Sequence, residues 1–539
     1  MLPDIRDYDA LTRAFRWQVP ARYNIGTDVC TRWALADPDR VAILWKKPDG
    51  SVEPVTYGRL EDASNRLANA LTAKGIRRGD RVALVLAQGA AAAITHIAIY
   101  KMGAIAVPLA ALFGIDALAF RLKDSGARAL ITNGEGLAKV AQIRDQLGEL
   151  AVLLSTDGPA GAGIGGFYET LAEGSASFAA IDTSADDPAM MIYTSGTTGQ
   201  PKGALHAHRV LLGHLPGVEM PHEFFPQPGD RMWTPADWAW AGGLLNVLLP
   251  SLHFGVPVVA RKFEKFDADE AFALMAEMEV RNTFVPPTAL RMLRSVENPR
   301  SKHAFNLRTL GSGGEALGAE TYDWGQAALG LTINEFYGQT ECNLVIASCA
   351  AIGISKPGAI GKPVPGHAIG VIRADGSPCD IGEQGQIAVK RPDPVMFLEY
   401  WNRPEATREK FIGDWMTTGD QGIRDDEGYV HFFGRDDDVI TSAGYRIGPG
   451  EIEDCLLKHP AVSLAAAVGK PDALRTEIVK AFVVLKRGVA PSDALAADIR
   501  DFVRTRMSAH SYPREIAFID ELPMTTTGKV IRRLLRERA

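Results

Sequence analysis

Cysteine is scarce and unpaired in this 539-residue chain. Cys30, Cys342, Cys349, Cys379 and Cys455 occur singly, with no Cys-x-x-Cys pair and no metal-ligand spacing. That distribution suits a reducing compartment and excludes a disulfide scaffold. A basic field is missing too. The net charge is -7, so no global positive surface draws nucleic acid, and an anionic ligand has to be met by local cations. The opening stretch, MLPDIRDYDALTRAFRW, carries acids and no apolar h-region, which predicts that it is not a signal peptide. An uninterrupted apolar run is absent as well. The most membrane-like segment, AWAGGLLNVLLPSLHFGVPVVA from Ala239, is broken by Asn246, Pro250, His253 and Pro257. It reads as a buried helix, a turn and a strand, not a membrane span. No internal repeat is visible, and no Ser-His-Asp or Cys-His arrangement offers a nucleophile. The expectation is a cytoplasmic protein with no membrane span and no nucleic-acid partner. Monomer and homodimer both stay open.

What is present is globular: 46% hydrophobic and 23% charged residues, enough for three or four folding units at roughly 100–200 residues each. Helix and strand signals alternate through roughly the first 360 residues, the pattern of layered α/β domains. RVALVLAQG and RALITN read as buried parallel strands, and LEDASNRLANALTAKG as an amphipathic helix with a glycine stop. AAAAITHIAIYKMGAIAVPL reads as a helix passing into a strand. After Gly361 short β segments joined by Asp-Gly and Gly-Glu turns suggest a small barrel or hairpin set. A second break falls at FFGRDDDVITSAGYRIGPGEIEDCL. Beyond it AVSLAAAVG, VKAFVVLK, ADIRDFVRTRM and EIAFIDE give a compact α+β pattern. The fold class is therefore α/β. A large N-terminal domain (1–436) of doubly wound sheets with a small β-barrel-like subdomain precedes a smaller, mobile α+β domain (437–539). The tail KVIRRLLRERA reads as the solvated basic face of a last helix.

The stretch MIYTSGTTGQPKGALHAH, Met191 to His208, sets small and hydroxyl residues behind an apolar run and closes with Pro-Lys-Gly. Small residues let the backbone approach a ligand and free its N–H groups. Hydroxyls add donors, and Lys202 adds a point charge. Together they suit a polyphosphate cradle, with a glycine-rich surface loop as the alternative. The P-loop spacing is not met. Four further segments bear on the choice. NEFYGQTECN sets Tyr337 beside Gly338 and carries Thr340-Glu341; an aromatic can stack on a base, and a carboxylate can hold Mg²⁺. WMTTGDQG offers Asp420 for ribose hydroxyls. GRDDDVITSAGYRIG carries Arg435 and Arg446, and LPMTTTGKVIRR presents Lys529 on a turn. Taken singly, each has a plain structural alternative: a helix start, a turn residue, a surface ion pair, a solvated lysine. His206 and His208 read as packing or pocket-wall residues before catalysts.

The joint occurrence of these segments in this order resembles the adenylate-forming superfamily of acyl-CoA synthetases, peptide-synthetase adenylation domains and luciferases, over nearly the whole chain. The medium-chain acyl-CoA synthetase branch is most similar, with acetyl-CoA synthetases next. The resemblance implies ATP, Mg²⁺ and CoA as cofactor and co-substrates. It implies that Thr194, Ser195, Gly196, Thr197, Thr198, Gly199, Gln200, Pro201 and Lys202 wrap the β- and γ-phosphates. Glu335, Phe336, Tyr337, Gly338, Gln339 and Thr340 frame adenine and α-phosphate, and Gly313, Gly314 and Glu315 line the other side. Thr194 and Glu341 serve Mg²⁺. Asp420 and Arg435 hold the ribose, Arg446 approaches the phosphate, and Lys529 bridges carboxylate and α-phosphate. Lys529, Glu341 and Thr340 are thus the expected catalytic residues. Asp437 matches the hinge; Ala443, Gly444, Tyr445 and Arg475 match positions near CoA. Chemically, a carboxylate is a poor electrophile until AMP is made its leaving group. Joining two anions needs cations where charge builds.

For the acid, acetyl-CoA synthetases close the acyl pocket with a Trp where this chain has Gly338. Ala241, Gly242 and Gly313 align with other crowding positions, and all are small. A medium-length, branched or cyclic monocarboxylic acid is expected, since each buried CH₂ adds roughly 0.8 kcal/mol. Acetate or propionate is the alternative, and an inactive nucleotide-binding homologue is the alternative of a different class. Trp233, Trp238 and Trp240 are candidate walls or core aromatics. Ala241-Gly242 lacks the Asp that amino-acid adenylation domains use for the substrate amine, although Asp237 is close in sequence. Ser511 stands where the medium-chain branch tends to carry a Lys, which bears on the CoA phosphate contact.

Overall fold

The computed structural model describes residues 1–161, 163–194, 200–435, 438–442, 445–472, 476–506, 512–525 and 528–539; of Thr441, Tyr445, Arg446, Glu451 and Thr476 only the backbone is described. Two large α/β sheets form the N-terminal part. In one, the parallel strands Arg81–Val85, Ile105–Pro108, Ala129–Thr132 and Val152–Ser155 form the centre. Each is a short apolar run buried on both faces, the composition that βαβ packing demands. The helix Tyr57–Ala73 starts where Thr56 accepts from the Arg59 N–H and ends just before Gly75, at φ +91°. Helix Ala90–Lys101 then leads into strand Ile105–Pro108 as the pattern predicts. The run from Ala239 is helical from Ala241 to Phe254, turns at Gly255 (φ +70°) and enters strand Val258–Ala260. Among the described residues no helix is long and apolar enough to cross a membrane.

The same sheet turns antiparallel at one edge. Pro188–Tyr193 pairs with Gly203–Ala207, and Gly203–Ala207 pairs in turn with Glu399–Tyr400. The Thr- and Gly-rich stretch is therefore the connection of a hairpin, not a strand-to-helix loop. The second sheet has Thr309–Gly313 and Ile333–Gln339 side by side in parallel, then Asn343–Ala347 antiparallel. A third sheet, antiparallel throughout, joins Ile369–Ile372, Gly385–Lys390, Trp415–Arg424, Phe411–Ile412 and Val430–Arg435.

Sheet membership changes between Arg435 and Ile440. Val430–Arg435 belongs to the third sheet, whereas Ile440–Ser442 joins Tyr445–Ile447, Thr476–Leu485, Val462–Asp472 and Glu515–Phe518 in a separate one. Its inner face packs Ile440, Val479 and Ala481 with Ile452 of helix Pro449–Leu457 and with Ile499 and Val503 of helix Asp493–Arg506. The tail departs from its expected solvation. Arg532 donates to both oxygens of Glu453 at 2.7 Å and Arg536 bonds Asp438, while Arg533 faces solvent. The helix is basic because it answers two acids of its own domain.

Between helices Tyr57–Ala73 and Ala90–Lys101 lies a buried ion cluster. Lys101 donates to Glu61 (2.7 Å), Ser64 (2.9 Å) and Asn65 (2.8 Å), and its side chain is 1% exposed. Burial alone would raise the Glu61 carboxyl, but the ammonium and the hydrogen bonds bring it below its ordinary 4.5. Removing one partner strands the others. Lys101→Met should cost about 3 kcal/mol, read as a fall in the denaturant midpoint at pH 7. Because the folded carboxyl is depressed, its stabilisation is present above 4.5 and lost as pH falls through the folded value. The penalty of Lys101→Met should therefore shrink in acid.

Candidate active site

The second and third sheets meet at Asp420. Asp420 lies on strand Trp415–Arg424, opposite Arg435 in the register. Its Oδ2 accepts from the Tyr337 hydroxyl at 2.5 Å and from Gln339 Nε2 at 2.8 Å. Arg435 stands 3.6 Å from Oδ1. Burial raises the Asp420 carboxyl above the usual range, against the charges of Arg435 and Lys529 and the two side-chain donors. Two donors leave acceptor capacity on a carboxylate, so Oδ1 can still take a hydroxyl. Gln339 is fixed in turn: its Nε2 donates to the Thr418 carbonyl at 2.8 Å, and Lys410 donates to its Oε1 at 3.2 Å.

On the neighbouring strand Gly313 and Gly314 end Thr309–Gly313. Gly314 has φ +104°, and a Cβ there would lie 4.0 Å from Lys529 Cε. The lysine turn is seated by Thr288, whose hydroxyl donates to the Gly528 carbonyl at 3.2 Å. Arg291 donates to Thr288 Oγ1 and to Glu315, both at 3.0 Å. Thus a turn of the C-terminal domain reaches the strand ends of the N-terminal part. Glu335 accepts from the Leu317 N–H at 3.1 Å; burial pushes its carboxyl up to about 8, with Asp454 adding to the rise. Asp454 itself is pushed up to about 6 by burial and by Glu453.

The hairpin supplies a second cluster. The Thr194 N–H donates to the Lys202 carbonyl at 2.9 Å, and the Lys202 N–H donates to Thr194 Oγ1 at 3.4 Å. These bonds close the neck of the connection. Lys202 Nζ lies 5.0 Å from the Tyr400 ring centroid, and the Tyr400 hydroxyl donates to Glu341 Oε1. The Glu341 carbonyl accepts from the Phe397 N–H at 2.8 Å. Among the described residues Glu341 Oε2 takes no hydrogen bond, so a hard oxygen donor remains open there. That is the donor type Mg²⁺ takes. Gln200 and Pro201 flank the neck; Thr340 precedes Glu341 in the turn after Gln339. Ser195 to Gly199, Asp437, Ala443, Gly444, Arg475 and Ser511 lie outside the described residues, as do the side chains of Tyr445 and Arg446.

The structure corrects the pocket expectation at two glycines. A Cβ at Gly338 would fall 1.1 Å from the Asn343 carbonyl oxygen, at a register shift between Tyr337 and Gly338. A Cβ at Gly313 would fall 2.4 Å from the Phe336 carbonyl and 2.5 Å from its ring. These positions are small because backbone crowds them, not because they open room for a chain. Gly242 differs: its nearest neighbour is Phe284 Cε1 at 2.8 Å, a side chain that can turn. Phe284 and Phe336 lie 5.3 Å apart and fill the space between Gly242 and Gly313. Ala241 is half-buried beside them. Trp233 and Trp238 are core residues, 0% and 1% exposed, whereas Trp240 is half-buried, edge-on to Phe113 at 5.5 Å. Asp237 accepts from the Ala239 N–H at 3.0 Å, and burial pushes its carboxyl up to about 6. His206 and His208 are fully buried, held by desolvation near 3 and 4 and so uncharged, as packing residues are. Sequence reasoning missed Tyr400, Thr288 and Arg291, whose contacts are long-range and leave no local pattern.

Polar groups gathered from the strand ends of the N-terminal sheets, met by Lys529 of the C-terminal domain, fit an ATP-using enzyme of the adenylate-forming kind. Residues 30–401 match the AMP-binding enzyme family model and residues 451–529 that of the AMP-binding enzyme C-terminal domain, and the chain belongs to this family. Similar proteins include an uncharacterized acyl-CoA ligase, YtcI, of Bacillus subtilis, 33% identical over 96% of both chains. The mitochondrial acyl-coenzyme A synthetase ACSM2 of Rattus norvegicus is 32% identical over 96% of this chain and 92% of its own. Among solved structures, the anthranilate CoA ligase AuaEII in complex with anthranoyl-AMP superposes with a TM-score of 0.89 at 29% identity, covering 96% of this chain and 98% of that one.

The glycine geometry yields a paired expectation. Gly338→Ala should fail to fold or unfold at far lower denaturant, since the clash is with backbone. Gly242→Ala should fold and shift preference toward smaller acids, because Phe284 can move only partway. Melting curves and an acid panel check both; a Gly338→Ala protein as stable as the wild type would contradict this account.

Proposed function

We propose that the chain is an AMP-forming acid–CoA ligase in which the residues above divide two half-reactions between two arrangements of one site. In the first, a carboxylate oxygen of the acid attacks the α-phosphorus of ATP and pyrophosphate leaves. In the second, the CoA thiol attacks the acyl carbon of the acyl-adenylate and AMP leaves. The observation that carries this is the position of Lys529: a cation of the C-terminal domain stands at Gly314, with its charge felt at Asp420. Adenylation joins two anions, and a preorganised cation there lowers the barrier where charge accumulates. Lys202 and the amides of the hairpin connection take the pyrophosphate. Asp420 and Arg435 hold the ribose, and Tyr337, its hydroxyl tied to Asp420, presents a ring to the adenine. A Glu335 carboxyl raised to about 8 is protonated at neutral pH and can donate to the base as well as accept. Glu341 and Thr194 would hold Mg²⁺, which would supply charge neutralisation at the phosphates.

The thiol step needs Lys529 withdrawn and residues 443–445 brought in, so the domain from 437 onward turns about Asp437. The acid is a medium-length, branched or cyclic monocarboxylate. Gly242 faces Phe284, a side chain that can turn aside, and Ala241 and Trp240 are only half-buried, which supports an acid of that size. The filling of Gly313 and Gly338 favours acetate or propionate as a second reading.

Carboxylate-dependent exchange of pyrophosphate into ATP, across acids from C2 to C10 with aromatic members, tests the activity; a binding protein shows none. Lys529→Ala should lower exchange by about 100-fold or more while largely sparing thioester formation from supplied acyl-AMP. Equal loss in both half-reactions would contradict the role given to Lys529.

A further inference from the structure

Tyr400 touches both halves of the phosphate end of the site, and no motif names it. It sits on the short strand Glu399–Tyr400, whose register partner for Tyr400 is Ala204 in the strand that leaves the hairpin. Its backbone is fixed on every side. The neighbouring Leu398 and Trp401 N–H groups donate to Leu205 and Gly203 at 2.7 and 2.8 Å, and its own N–H donates to Thr407 Oγ1 at 2.9 Å. The ring packs on Phe397 at 4.9 Å, and the residue is 4% exposed. A side chain so held has little rotamer freedom, so what it touches is held as well.

It touches two opposite charges. Its hydroxyl donates to Glu341 Oε1, and its ring stands 5.0 Å from Lys202 Nζ. Among the described residues no ion pair joins Lys202 to Glu341. Two such groups at the mouth of one loop attract each other, and if they met, the ammonium would occupy the carboxylate edge that a cation needs. The tyrosine prevents this in two ways. The ring gives the ammonium a favourable face at some distance from the carboxylate. The hydroxyl takes one carboxylate oxygen and leaves Oε2 free.

We infer that Tyr400 is a positioning residue for metal–nucleotide binding: its hydroxyl sets the Glu341 carboxylate with Oε2 turned outward, and its ring holds Lys202 extended toward the phosphates. This rests on the reading of Glu341 and Lys202 given above. The two contacts separate by substitution. Tyr400→Phe keeps the ring and loses only the hydroxyl; Tyr400→Leu loses both.

The direct measurement is Mn²⁺ binding, by electron paramagnetic resonance, to the full-length enzyme holding a non-hydrolysable ATP analogue. Outer partners of metal ligands are typically worth 10–100-fold in metal affinity, so Tyr400→Phe should weaken Mn²⁺ about 10-fold or more. In exchange assays the same variant should raise the Mg²⁺ needed for half-maximal rate and leave the KM of the acid unchanged. Tyr400→Leu should add a rise in the KM of ATP of about threefold or more. A merely structural role would move the acid KM and the melting temperature together and spare the metal dependence. Mn²⁺ affinity of Tyr400→Phe within twofold of the wild type overturns the inference. Wild-type enzyme with no acid-dependent exchange overturns the functional reading instead, and the Mn²⁺ titration, which needs no turnover, tells the two failures apart.

Discussion

The antiparallel join of Glu399–Tyr400 to Gly203–Ala207 is the constraint on which the rest of the site depends. It is only a few backbone bonds long. Yet it fixes where the hairpin connection returns, and it ties the Lys202 end to Glu341, which belongs to a different sheet. Without it the Thr- and Gly-rich stretch would be an untethered loop, and its entropy would oppose any grip on a ligand. With it, both ends of the connection are held by paired strands.

Around this neck the charges are arranged as buried acids answered by nearby donors. Asp420 accepts from Tyr337 and Gln339, and Arg435 balances it from across the register. Glu341 is answered by a tyrosine, which has no charge of its own. The difference matters chemically. A carboxylate already neutralised by arginine keeps little attraction for a metal, whereas one bonded to a hydroxyl keeps its full charge. Lys529 comes from the C-terminal domain and stands at Gly314. Thr288, Arg291 and Glu315 form the seat that receives it.

Much of this was legible in the chain. The alternation of helix and strand, the glycine stop at Gly75 and the broken apolar run from Ala239 all came from local periodicity and turn chemistry, which act over a few residues. The order of the motifs pointed to the family before any contact was known. What sequence could not give was the reason a residue is small. Gly338 and Gly313 looked like vacated pocket space, but a carbonyl from a neighbouring strand crowds the first and Phe336 the second. Strand register, not side-chain size, decides those positions. The basic tail misled for a similar reason: Arg532 and Arg536 answer Glu453 and Asp438, which are distant in sequence. Tyr400 was invisible because one aromatic in LEYWNRPEAT carries no period and no motif.

The central claim is that one docked arrangement makes the acyl-adenylate and that the domain must leave it to make the thioester. A Cβ at Gly528 lies 3.3 Å from Thr288 Cβ, close to the roughly 3.5–4.5 Å of a disulfide. The double variant Thr288→Cys/Gly528→Cys, oxidised, pins the Lys529 turn to its seat. Quenched single-turnover assays should then find acyl-AMP formed to about one per site with no acyl-CoA, and a reductant should restore thioester formation. A cross-linked enzyme that makes acyl-CoA as fast as its reduced form would contradict the account.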